Sequence, residues 1–336
     1  MSATIFPAVY LGPYFDGTED GKRAVAQAVD TACRSLGFLI ITGHQVPPAL
    51  IDAIRAVSFE YFALPTAEKM ALRMPPDRYR GYTPMMAENL AASLGQAAPP
   101  DLKEAFSIGP IDPPVDAYHT TPEAGTFFAE NVWPDRPAGM REAYTAYYRA
   151  MEGLATSLMR IFALALDLPE AYFDDKVDRH ISNFSVLHYP AQTEPPQPGQ
   201  LRAGAHTDYG SLTILHRDNA PGGLQVQTSD GEWLDVPDFP NFPNTFVVNL
   251  GDLMQDWTNG RWRSTLHRVV NPGPDAGASK GRLSMAFFHQ PNYDTVVDPL
   301  PKCRNPNDKA TSVSITSGEH VMMKINRHRK QQAPAA

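Results

Sequence analysis

The stretch "GAHTDYGSLTIL", residues 204–215, decides how this chain is read. Only ten histidines occur in the sequence, yet His206 stands one residue from Asp208, at the mouth of a run that alternates towards apolar. In extended backbone the side chains at i and i+2 point the same way. The imidazole and the carboxylate therefore face a common point, which makes half of a metal site.

Working outward, everything after Pro169 has a period of two and is cut into short pieces by turn residues: "NFSVLHY", "SLTILH", "LQVQT", "EWLDV", "TFVVNL", "RWRSTLHRVV", "RLSMAFFH" and "DTVV". Runs of this kind, separated by "APGG" and "SDGE", predict a double-sheet jelly roll or a closed barrel. Before Pro169 the pattern is helical. Val25, Ala28, Val29, Ala32, Cys33 and Leu36 mark one face of a helix that Gly37 ends, and "FLIIT" (38–42) is a strand buried on both sides. Leu50, Ile51, Ile54, Val57, Tyr61 and Phe62 mark a second helix, and residues 140–166 a long third one with a Met and aromatic stripe that belongs to the core. Between Pro75 and Pro137 the text is proline-rich and irregular, as expected of lids and binding loops. The expected fold class is mainly β with α additions: a helical N-terminal region over 1–168, a jelly-roll domain over 169–325 and a basic, flexible tail over 326–336.

A barrel can supply a third ligand from a distant strand, and His267 in "STLHRVVNP" is the candidate. Two imidazoles and a carboxylate on one face of a divalent ion leave positions open, the arrangement of non-haem iron oxygenases. A second H-x-D, His216 and Asp218, lies at the far end of the same strand and runs into a turn, so it belongs to the opposite rim. Further on, Arg282 and Ser284 in "RLS" also face together. The guanidinium is a planar fork for a carboxylate, and an inward-facing arginine is costly without an anion.

Composition narrows the partners. With 29 basic and 37 acidic residues the net charge is −8, which opposes a general attraction to nucleic acid, and the one basic cluster, "KINRHRK" at 324–330, reads as a solvated end. No apolar run approaches the length that spans a membrane, the start lacks a leader pattern, and the two cysteines form no C-x-x-C, so the expected place is the cytoplasm. No obligate protein partner is evident.

With H-x-D, H and R-x-S in this order, the sequence resembles the isopenicillin N synthase-like group of iron(II)- and 2-oxoglutarate-dependent dioxygenases. The likeness extends along almost the whole chain, through "GFLIITGHQV", "YFALPTAEKMAL", "RGYTP", "DLKEAFSIG" and "NVWP", then "HYP", "GGLQVQ" and "VVNLGDLMQDWTNGRWRSTLHRVVNP". It implies a double-stranded β-helix, with Fe(II) on His206, Asp208 and His267. It further implies 2-oxoglutarate on Arg282 and Ser284 with help from Tyr189, and O₂ as the oxidant. Two departures stand out. Leu187 occupies a position where the family often has Asn, and "NPGPDAGASKG" (271–281) lengthens a turn.

The implied chemistry is oxidation of an unactivated C–H bond in a small molecule, with release of succinate and CO₂. Strand parity puts Phe288, Leu187 and Ser185 in the cavity alongside Arg282 and Tyr189. The first two suggest a largely apolar substrate, and "TPMMAENLAASL" (83–94) reads as the lid, with Met85, Met86 and Asn89 touching substrate. Alternatives are an O₂-dependent oxidase whose arginine reads the substrate, a zinc hydrolase on the same three ligands, and a jelly-roll binding module without turnover.

Overall fold

A computed structural model describes residues 6–75, 78–95, 97–192, 194–218, 223–237, 244–273, 281–304 and 315–332. Its centre is a jelly roll of two facing sheets. The strands are β1 (Ala8–Tyr10), β2 (Phe38–Thr42), β3 (Gly81–Thr83), β4 (Glu104–Ile108), β5 (Asn183–Tyr189), β6 (Ala203–His206), β7 (Leu212–Arg217), β8 (Leu224–Gln227), β9 (Trp233–Asp235), β10 (Phe246–Leu250), β11 (His267–Val269) and β12 (Arg282–His289). The larger sheet has the order β1-β2-β10-β7-β12-β5-β4-β3 and the smaller β6-β11-β8-β9. The four strands of the N-terminal region are thus built into the larger sheet, two at each end.

Alternation along each strand divides the core. Leu283, Met285 and Phe287 of β12, with Phe184 and Val186 of β5, turn outward and are buried against the long helix Met140–Ala165 and the helices Glu19–Ser35 and Pro48–Phe62. Phe287 has no exposed surface and meets Tyr148 edge to face, the rings 5.1 Å apart. The opposite faces of these strands, with Phe38, Ala203, Leu224, Val226 and Val269, close on the space between the sheets. Helices cover one side of the larger sheet, so its other side is left for the cavity.

Three expectations need correction. The irregular 75–137 region contains β3, β4 and a 3-10 turn at Leu90–Leu94. In β4 all five residues are buried, Glu104 and Ser107 among them, so polar side chains hide the strand pattern. In "RWRSTLHRVV" only His267–Val269 is strand. Trp262 leaves the ladder because its indole N–H donates to Asp30 at 2.8 Å. The tail expected to be flexible begins inside a helix, Ser317–Gln332. Thr316 and Glu319 cap that helix reciprocally, Thr316 N–H donating to Glu319 Oε2 at 2.9 Å and Glu319 N–H to Thr316 Oγ1 at 3.2 Å, the S/T-x-x-E box that "TSGE" spells. Residues 333–336, and 274–280 of the lengthened turn, lie outside the described residues. No described helix is long and apolar enough to cross a membrane.

Candidate active site

His206 ends β6 and His267 begins β11, and these two residues are direct cross-strand partners in the smaller sheet. Their rings lie 4.2 Å apart, centre to centre. Asp208 sits in the loop that follows β6, 3.9 Å from His206 Nε2 and 3.7 Å from His267 Nε2 through its Oδ1. That loop passes between strand ends only because two glycines allow it. A Cβ on Gly210 would stand 2.2 Å from the His289 carbonyl oxygen, and one on Gly251 would stand 2.2 Å from the carbonyl oxygen of Gly210. One donor atom from each of the three residues falls within 4.8 Å of the others, the only such cluster among the described residues.

The remaining polar atoms of the three are tied off. His206 Nδ1 lies 2.7 Å from the Gly204 carbonyl oxygen and His267 Nδ1 lies 3.1 Å from that of Thr265. Each Nδ1 therefore carries the proton, and each Nε2 presents a lone pair to the shared point. Asp208 Oδ2 accepts from Thr213 Oγ1 at 2.5 Å and from Asn249 Nδ2 at 2.6 Å, which leaves Oδ1 for the same point. Burial, then the neighbouring His267, pushes the His206 imidazolium down to about 3, so the ring is neutral as a ligand must be. Burial alone would raise Asp208, but the two histidines and its two hydrogen bonds hold it below the usual carboxylate range. The donor set fits a divalent metal ion with positions left open.

Arg282, 1% exposed, opens β12 opposite Tyr189 of β5, and its Nη2 lies 3.3 Å from Ser284 Oγ. A second buried arginine, Arg202, flanks the same tyrosine: the two guanidinium carbons lie 5.4 and 5.8 Å from the ring centre. Burial and the charge of Arg282 push Arg202 down to about 10. Two guanidinium groups about one aromatic ring make a field that suits a carboxylate. Arg202 was not singled out in the sequence, where it reads as one more charged residue in a turn.

The site opens on a cavity of about 260 Å³ whose walls include Arg282, Ser284, Ala286 and Phe288 from β12 and Asn183, Ser185, Leu187 and Tyr189 from β5. Phe287 belongs to the outer core, so the parity expected of β12 holds. Leu187 lies opposite Ser284 and Ser185 opposite Ala286. From the 83–94 segment the cavity takes Glu88 and Leu90, and not Met85, Met86 or Asn89. Met86 is 52% exposed in a left-handed turn (φ 57°), while Asn89 caps the 3-10 turn, accepting from Ala92 N–H and donating to the Ala98 carbonyl. That cap turns its side chain away from the cavity. Val321 and Ile325, one turn apart on the helix Ser317–Gln332, supply a wall that the sequence reading missed. The competing pair is structural: Asp218 accepts from Arg55 Nε at 2.6 Å and from Leu283 N–H at 3.0 Å, and His216 packs on Phe246.

Two family models match the chain: the non-haem dioxygenase N-terminal region (in morphine synthesis) over residues 6–136, and the 2OG-Fe(II) oxygenase superfamily over residues 181–291. Homoarginine-6-hydroxylase 2-ODD-233 of Oryza sativa subsp. japonica is 34% identical over 307 residues, covering 90% of this chain and 88% of its own. The 2-oxoglutarate-dependent dioxygenase citB of Monascus ruber is 34% identical, covering 96% and 94%. Among solved structures, a full-length Neurospora crassa protein in complex with alpha-KG superposes with a TM-score of 0.83 at 29% identity, covering 97% of each chain. The chain is a non-haem iron(II) oxygenase that uses 2-oxoglutarate and O₂, and it belongs to the 2OG-Fe(II) oxygenase superfamily.

Proposed function

We propose that His206, Asp208 and His267 hold the iron, that Arg282 with Ser284 and Tyr189 takes the distal carboxylate of 2-oxoglutarate, and that the enzyme oxidises an unactivated C–H bond of a small molecule lying against Phe288 and Ser185. The observation that carries this reading is the convergence of two imidazole Nε2 atoms and one carboxylate oxygen, each with its other polar atom already bonded. When bound, the iron, 2-oxoglutarate and O₂ supply the oxidising power, and succinate and CO₂ are released. The chain's own part is to orient and to exclude water. Thr213 and Asn249 fix the Asp208 carboxylate, and Leu187 beside Ser284 keeps the cosubstrate end dry. Phe288 offers a flat apolar wall on the substrate side, and Val321 and Ile325 close the mouth. The mostly apolar lining favours a substrate with an apolar body.

The experiment is an anaerobic titration with Fe(II) and 2-oxoglutarate, followed by the metal-to-ligand charge-transfer band, in wild type, Asp208→Ala and His216→Ala. Wild type and His216→Ala are expected to develop the band and to consume 2-oxoglutarate in air. Asp208→Ala is expected to do neither while melting as a folded protein. The reverse pattern would assign the metal to the other H-x-D pair.

A further inference from the structure

One cation in this cavity has no charge among the described residues to answer it. Arg80 is 3% exposed and lines the same cavity as the metal ligands. Its Nη1 donates to the Tyr79 carbonyl at 2.8 Å and reaches Asn183 Oδ1 at 3.4 Å, and its Nη2 donates to the Phe127 carbonyl at 2.5 Å. All three acceptors are neutral. Its Nε–H has no partner among the described residues. The other deeply buried amines are treated differently: Lys69 meets Glu104 at 2.8 Å, and Lys103 meets Glu88 at 2.6 Å and Asp101 at 3.3 Å. Burial pushes Arg80 down to about 10. A buried guanidinium without an anion is unfavourable, and the expense is most readily offset when a ligand brings the anion.

The position of this arginine is also built. A Cβ on Gly109 would lie 1.8 Å from Arg80 Nη2, so the guanidinium rests directly on glycine backbone and any larger residue there would displace it. Beside it, Asn183 donates to Ser185 Oγ at 3.0 Å, and Ser185 and Ser107 share a hydrogen bond of 2.7 Å. This polar row ends at Arg80.

Resting on the oxygenase reading of the site, we propose that Arg80 is the recognition point for a carboxylate on the substrate. The sheet register gives its reach. Thr213, which holds Asp208, is paired with Phe288, and Phe288 is paired with Asn183, which touches Arg80. Neighbouring strands are about 4.8 Å apart, so the guanidinium stands roughly 10–14 Å from the metal ligands. A monocarboxylate with an apolar body fits that span, its charged end on Arg80, its middle on Phe288 and its far end at the metal. The distance from the carboxylate then selects which carbon is oxidised. A phosphate dianion would call for a second cation, and Lys103 is already held by two carboxylates.

The probes are the ω-phenylalkanoic acids from phenylacetate to 6-phenylhexanoate, each with its carboxamide. They are titrated anaerobically into the Fe(II) and saturating 2-oxoglutarate complex and followed by perturbation of the charge-transfer band and by thermal shift. Expected is a response that peaks at one chain length, with the acid binding on the order of 100-fold more tightly than its amide. Arg80→Gln should erase that preference and Arg80→Lys should keep part of it. Acid and amide binding alike in wild type, an acid preference that survives in Arg80→Gln, or no response to any acid at millimolar concentration would each overturn the proposal. Should Arg80→Gln not fold, the wild-type comparison and Arg80→Lys decide. Absence of the band before any probe is added would instead fault the oxygenase reading.

Discussion

Asn249→Leu tests how the Asp208 carboxylate is aimed. Asn249 is 2% exposed on β10 and donates to Asp208 Oδ2 at 2.6 Å. Leucine has nearly the same shape, fills the space against a replacement water and donates nothing. A hydrogen bond to a charged group contributes about 1.5–3 kcal/mol. Losing an outer partner of a metal ligand typically lowers metal affinity about 10–100-fold, which is about 1.4–2.7 kcal/mol. The two figures agree, so most of the lost bond should appear in iron affinity. Because Thr213 Oγ1 still holds Oδ2, the single variant should sit near the tenfold end, and the double variant with Thr213→Val nearer a hundredfold. The assay is the midpoint of an anaerobic Fe(II) titration at saturating 2-oxoglutarate, with the melting temperature recorded alongside. Iron affinity within about twofold of wild type in Asn249→Leu would refute the reasoning and leave the aim of Oδ1 to the loop backbone.

Arg282→Leu should raise the apparent 2-oxoglutarate requirement by about 30-fold or more, from the loss of a charge-assisted pair, with iron binding retained; steady-state oxygen uptake against 2-oxoglutarate concentration measures it. Phe288→Ala should weaken substrate binding and increase 2-oxoglutarate consumption that yields no oxidised product, read as the ratio of succinate to product. Glu104 accepts from Lys69 at 2.8 Å, Tyr82 at 2.5 Å and His188 at 2.8 Å, and these contacts outweigh burial and hold it below its ordinary value. Its contribution is thus complete above an unfolded-state pKa of about 4.3 and is lost as pH falls through the lower folded value. In Glu104→Gln, thermal melts should show a lower stability at neutral pH and a flatter decline below about pH 4.3.

Where side-chain direction follows from strand parity alone, the sequence was enough to place the side chains. His206 with Asp208, and Arg282, Ser284 and Phe288, lie where their spacing put them, because a one-residue slip would turn buried Leu283, Met285 and Phe287 into the cavity. Where side-chain direction is set by a local turn or cap, or by partners distant in sequence, strand parity was no guide. Met85, Met86 and Asn89 were expected at the substrate, but the local demands of a turn and a cap aim them elsewhere, and Glu88 and Leu90 take the wall. The strand β6 is only "AGAH", too short and too small-residued to show a period, and it exists because β11 pairs with it. Arg80 and Arg202 look like surface charges in the text; only the packed structure shows them buried.

The order of the larger sheet has a consequence for how the protein is made. During synthesis β2 emerges early, and its partner β10 follows roughly 200 residues later, so long-range pairing must wait for most of the chain. Until then "FLII" of β2, buried in the finished molecule on both faces, is an apolar strand with an open edge on the ribosome-bound chain. The yield of soluble enzyme should therefore respond more to translation speed, temperature and holdase chaperones than to the intrinsic stability of the completed fold.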